Sequence, residues 1–220
     1  DEKPLPRGRD GRLHHTHALR DVSFTYPGAP DPAIQNVSLT IQRGQFVSFC
    51  GESGGGKSTL LMLLMGLIRP TDGDVVCDDW SVFDHIRAWH RNIGYVSQTA
   101  YISPASVREN VAFGVRPDKV DDARVWRALE MAAARSFVES LPQGLDTPLR
   151  AGGTRLSGGQ RQRIVIARAL YHDPDVVIFD EATAALDNIT EQEVTDAAVR
   201  LRGTKTVICV AHRLSTIRSS

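Results

Sequence analysis

Gly51-Glu52-Ser53-Gly54-Gly55-Gly56-Lys57-Ser58 satisfies G-x-x-x-x-G-K-[ST], with an apolar strand, Phe46 to Cys50, before it and a run of helix formers, Lys57 to Leu67, after it. Gly51, Gly54, Gly55 and Gly56 let the backbone wrap closely around an anion and turn its N–H groups onto phosphate oxygens, and the N-terminus of the following helix adds a favourable dipole. In that setting Lys57 neutralises the β and γ phosphates, Ser58 offers its hydroxyl to Mg²⁺, and Thr59 reaches the α phosphate. A glycine-rich turn with a chance lysine would not account for strand, loop and helix in this order.

Working outward, Val22 to Tyr26, Ile34 to Ile41 and Gln45 to Cys50 read as strands, so the opening third is rich in β structure. Further strands are expected at Gly73 to Cys77 and Asn92 to Val96. The chain then turns helical, with Val125, Ala128, Leu129 and Ala132 recurring on one helix face. After Gly158, Gly159 and Gln160 a helix running to about Tyr171, stopped before Pro174, precedes Val176-Val177-Ile178-Phe179, an apolar run that fits a parallel strand buried on both faces; Thr206 to Ala211 is a second such strand. Strands alternating with helices imply an α/β fold with a parallel core whose site lies along the strands' C-terminal edge. Asp180 closes the first buried strand, where a carboxylate holds Mg²⁺ through water opposite Ser58. Glu181 projects differently and is the candidate general base for an attacking water. Taken alone, the Asp-Glu pair would equally suit a helix N-cap ahead of Ala182 to Leu186; the phosphate loop tips the balance toward the metal and water roles.

The 220 residues carry 26 Lys+Arg against 26 Asp+Glu, with 41% hydrophobic and 24% charged, which excludes a disordered or collagen-like chain and any global attraction to nucleic acid or anionic lipid. The longest apolar run, Leu60 to Ile68, is well short of the ~20 residues of a membrane-spanning helix, so the chain is read as not crossing a bilayer. Cys50, Cys77 and Cys209 are odd in number and lack metal-ligand spacing, arguing against a disulfide framework or a zinc site. Residues 1–17 read as a polar linker or N-terminal extension, with His14, His15 and His17 solvated rather than ligating a metal.

Leu156-Ser157-Gly158-Gly159-Gln160, between the phosphate loop and the Asp180 strand, resembles the signature motif of ATP-binding cassette (ABC) ATPases. Further family motifs follow in order: Tyr26 is similar to the adenine-stacking aromatic, Gln98 to the Q-loop glutamine that senses Mg²⁺ and γ phosphate, Ala185-Leu186-Asp187 to the D-loop, and His212 to the switch histidine that orients Glu181. Without the family, Tyr26 would equally suit a strand-end core residue, Gln98 an ordinary loop glutamine and His212 a buried structural histidine. The resemblance covers Val22 to Ile217. It implies a P-loop NTPase with a β-rich N-terminal subdomain, a parallel-sheet core and an inserted helical subdomain at about residues 99–165, the whole domain occupying 18–220 and its C-terminal part expected to be truncated.

Ser106-Val107-Arg108-Glu109-Asn110-Val111, Leu141 to Thr147, Gln160 to Arg163 and Ala211 to Ser215 resemble the exporter branch of that family. This implies ATP and Mg²⁺ as cofactors, and membrane domains outside the chain as partners on the cytoplasmic face of a membrane. It also implies a second, identical ATP-binding domain, because the signature of one subunit, Ser157, Gly158, Gly159 and Gln160, covers the nucleotide held by Gly51, Glu52, Ser53, Gly54, Gly55, Gly56, Lys57, Ser58 and Thr59 of the other. Lipid flipping is one export activity this would drive. Arg150 and Ala151 depart from the Gly-Glu pair that exporters commonly carry before the signature. A soluble ABC ATPase acting on nucleic acid fits less well: the gap from Gln98 to Ser157 is too short for a coiled-coil arm, and no basic bias is present. A binding-only module is disfavoured by Glu181 and His212.

Overall fold

A computed structural model describes residues 10–52, 54–97, 99–149, 156–180 and 195–211. Among the described residues, two four-stranded sheets carry the fold. The first is antiparallel, with β1 (Thr16–Phe24), β2 (Ile34–Gln42), β4 (Asp72–Cys77) and β5 (Trp80–Ser81) in the order β2-β1-β4-β5. The second is parallel, with β3 (Phe46–Cys50), β6 (Ile93–Val96), β7 (Val176–Asp180) and β8 (Thr206–Ala211) in the order β3-β8-β7-β6. Val176 to Phe179 are all buried, as expected of a central parallel strand covered on both faces.

Helix α1 (Lys57–Leu64) leaves the phosphate loop and ends sooner than its composition suggests. Gly66 adopts a φ of +70°, the Gly66 N–H bonds to Leu63 O and the Leu67 N–H to Met62 O, a Schellman closure that stops the helix. Beyond α2 (Ile86–Arg91), a helical layer is built from α3 (Val107–Val111), α4 (Asp122–Met131), α5 (Arg135–Glu139) and α6 (Gly158–Leu170). Val125, Ala128, Leu129 and Ala132 form its buried stripe, the face anticipated from their spacing.

Two of the exporter-like stretches meet in this layer. Ser106 caps α3 in a reciprocal box with Glu109, and the Arg108 guanidinium pairs with Asp122 at 2.7 Å and with Asp146. The Val107 N–H donates to Thr147 O. Fully buried Asn110 ties the preceding loop through Ser103, and Arg168 of α6 donates to Asn110 O at 2.7 Å and to Tyr101 O at 3.0 Å. These motif residues hold the helices to one another.

The reading of His17 as solvated is corrected by the fold. Strand β1 begins at Thr16, well before Val22, and Leu13 and His17 are buried. The cause is non-local. The Asp78 carboxylate, in the turn between β4 and β5, accepts the N–H groups of His14, His15 and Thr16 at 2.8–3.0 Å, while Asp175 accepts the Leu13 N–H and pairs with Arg12 at 2.8 Å. His17 then lies 3.1 Å from both Val76 O and Leu64 O, with its ring 4.3 Å from that of Trp89. Trp89 Nε1 donates to the same Leu64 carbonyl, whereas the His17 ring, with one N–H when neutral, donates either to Leu64 O or to Val76 O.

Burial pushes the His17 imidazole down to about 4. A depressed folded value means that the unfolded chain takes up the proton first. The stability contribution is therefore present above the ordinary value near 6.5 and is lost as pH falls from there toward 4. Denaturant unfolding should show wild type losing stability across that window. His17→Gln should be less stable at pH 7 yet have a flatter profile between pH 6.5 and 4; a parallel profile would assign the loss to other groups.

Candidate nucleotide site

The site begins where β3 runs out at Cys50. Gly54 and Gly56 hold φ angles of +82° and +77°, a region that side chains rarely occupy. At Gly56 a Cβ would also lie 2.9 Å from Ala33 O and 3.0 Å from Ile34 Cδ1, at the start of β2. Lys57 Nζ donates back to Gly51 O at 2.7 Å and Glu52 O at 2.6 Å, so its ammonium sits inside the curl of the loop.

Gly56 is the N-cap of α1, no side chain caps that end, and the first turn holds no acidic residue. Helix α6 likewise has no acidic residue in its first turn, although Ser157 and Gln160 form a capping box: the Gln160 N–H donates to Ser157 Oγ at 3.1 Å and the Ser157 N–H to Gln160 Oε1 at 3.0 Å. By contrast α3 and α4 carry Glu109 and Asp122 in their first turns. The two helices that open on glycine motifs thus lack a carboxylate in the first turn, as the short α2 and α5 also do, and an N-terminal dipole left without one is suited to an external anion.

Ser58 and Asp180 line one cleft of about 440 Å³ together with Leu61, Met62, His90 and Tyr95. A hydroxyl and a carboxylate facing one cleft beside a phosphate loop are hard oxygen donors, which fits Mg²⁺. Tyr26 is 40% exposed; its ring meets Phe24 edge-on at 4.8 Å, and its hydroxyl lies 3.0 Å from Oγ1 of buried Thr59. The aromatic expected at the base is thus bonded to the residue expected at the α phosphate. Strand β6 ends two residues before Gln98 and β8 one residue before His212. Gln98, Glu181 and His212, together with Ser53, the D-loop Asp187 and the Arg150-Ala151 pair, lie outside the described residues.

Sequence reasoning missed Tyr95. Its hydroxyl donates to Asp180 Oδ2 at 2.7 Å, and burial together with the carboxylate raises the phenol well above its ordinary value. Strand periodicity marks Tyr95 as facing one side of β6. Only the pairing of β6 with β7, in which Tyr95 stands opposite Ile178, brings it to Asp180.

Residues 34–184 match the family model described as ABC transporter. The chain is 41% identical over 221 residues to an ATP-dependent lipid A-core flippase of Burkholderia orbicola, covering 99% of this chain and 37% of that protein. It is 40% identical over 218 residues to the heterocyst differentiation ATP-binding protein HepA of Nostoc sp., covering 96% of this chain and 35% of that one. A solved structure described as a bacterial Atm1-family ABC exporter with ATP bound superposes with a TM-score of 0.79 at 32% identity, covering all of this chain and 38% of the other. The chain thus spans little more than a third of the length of these relatives.

Gly56→Ala combines a left-handed backbone with a contact against rigid backbone, whereas at Gly54 the same strain meets open space. The strain alone costs about 1–2 kcal/mol. Denaturant unfolding and fluorescent-nucleotide titration should show Gly56→Ala losing more stability and more affinity than Gly54→Ala.

Proposed function

The chain belongs to the ABC transporter family, and from that premise we propose that it is the ATP-hydrolysing domain of an exporter, driving substrate export or lipid flipping by membrane domains on other segments or chains. The observation that carries this reading is the sharing of one cleft by Ser58, at the mouth of the phosphate loop, and Asp180, at the end of a buried strand. Relatives named as a lipid A-core flippase and as a multidrug resistance transporter favour export over a soluble ATPase.

In this reading Lys57 and the N–H groups of Gly54 to Lys57 grip the β and γ phosphates, Thr59 holds the α phosphate, and Tyr26 stacks on the base. Ser58 and Gln98, with Asp180 acting through water, would hold Mg²⁺. The metal supplies charge neutralisation at the phosphates. Glu181 takes the proton of the attacking water, and His212 orients it against the γ phosphate. Ser157, Gly158 and Gly159 face the nucleotide of a second, identical subunit, since the chain already has one cradle of its own and α6 offers another N-terminus with no carboxylate in its first turn. ATP-dependent closure of that dimer would couple hydrolysis to the membrane domains, with the ATPase on the cytoplasmic face and no role for nucleic acid.

Glu181→Gln keeps the side chain's shape but removes the carboxylate needed to polarise water. Light scattering after size exclusion should find the variant monomeric alone, dimeric with MgATP and monomeric with MgADP, with phosphate release abolished. Hydrolysis at the wild-type rate would remove Glu181 from the role of base.

A further inference from the structure

The two oxygens of the Asp180 carboxylate are not equivalent. Tyr95 Oη donates to Oδ2 at 2.7 Å. In the parallel pairing of β6 with β7, Tyr95 stands opposite Ile178, so Asp180 lies two residues further along the same face. That step is about 6.6 Å, a distance the length of a phenol side chain spans. Tyr95 and Asp180 line the same cleft as Ser58, and the cleft floor of Leu61, Met62 and Met65 backs it with apolar side chains.

We propose that Tyr95 is a positioning residue for the divalent cation: by occupying Oδ2 it fixes the carboxylate rotamer, leaving Oδ1 to accept from metal-bound water opposite Ser58. This rests on the nucleotide reading above. A carboxylate at a strand end, half in solvent, otherwise rotates among several orientations, and an outer-sphere contact to a metal is sensitive to which one it holds. The phenol is suited to the task because it donates a single hydrogen bond and carries no charge that would compete with the cation. Phenylalanine at this position would keep the packing and lose the orientation.

The test uses the full chain with two probes, trinitrophenyl-ATP in EDTA for nucleotide binding and Mn²⁺ with ATP, followed by electron paramagnetic resonance, for metal binding. Tyr95→Phe should bind the fluorescent nucleotide as wild type does, yet bind Mn²⁺ about tenfold more weakly, the loss typical when the partner of a metal-holding side chain is removed. Asp180→Asn should also weaken Mn²⁺ binding, and adding Tyr95→Phe to it should cost nothing further, because the hydroxyl acts only through that carboxylate. Tyr95→Trp keeps an aromatic ring without a hydroxyl at Asp180 and should repeat the Tyr95→Phe result. Mn²⁺ affinity within twofold of wild type in both tyrosine variants, or an equal loss on the Asp180→Asn background, overturns the assignment and leaves the nucleotide reading intact. Wild type that binds no nucleotide overturns both.

Discussion

A phosphate cradle made of backbone requires the chain to turn where no side chain fits. At Gly56 that requirement is met by a left-handed φ of +77° and by an approach to Ala33 and Ile34 that a Cβ would block. The contact joins the two sheets at the point of function. The loop grows from β3 of the parallel sheet and rests on the first residues of β2 in the antiparallel one. Because Gly56 is also the N-cap of α1, the same residue sets the origin of the helix dipole.

Helix α1 is the element that both sheets hold. Tyr26, just past the end of β1, bonds Thr59 in its first turn, and His17 from the other end of β1 reaches Leu64 O at its last residue, where Trp89 donates as well. The antiparallel sheet therefore spans the helix from phosphate end to C-terminus. On the other side, Asp180 is presented by a strand whose four preceding residues are buried, so its position is set by core packing, while its orientation is set by Tyr95. Backbone placement and side-chain orientation come from different neighbours.

The helical layer is organised by polar pairs over an apolar stripe. Arg108 reaches both Asp122 and Asp146, and Arg168 reaches back from α6 to Asn110 and Tyr101, so the glycine-opened helix is tied to the loop that follows β6. That loop follows the strand carrying Tyr95.

The amino-acid sequence by itself determined the phosphate loop, α6 with its Ser157-Gly158-Gly159-Gln160 opening, the buried strands β7 and β8 and the apolar stripe of α4. Each depends on neighbours a few residues apart along the chain: glycines for tight turns, caps three residues from their partners, periodicities of two or of 3.6. What the tertiary structure decided are the bonds between segments far apart. Asp78 captures three backbone N–H groups that looked like those of a linker, and so converts His17 from a solvated histidine into a buried neutral one. Tyr95 finds Asp180 and Tyr26 finds Thr59 only once strand order and register are set. Periodicity tells which way a side chain faces, but not which strand lies beside it; that is settled by how the sheets assemble and bury their apolar faces.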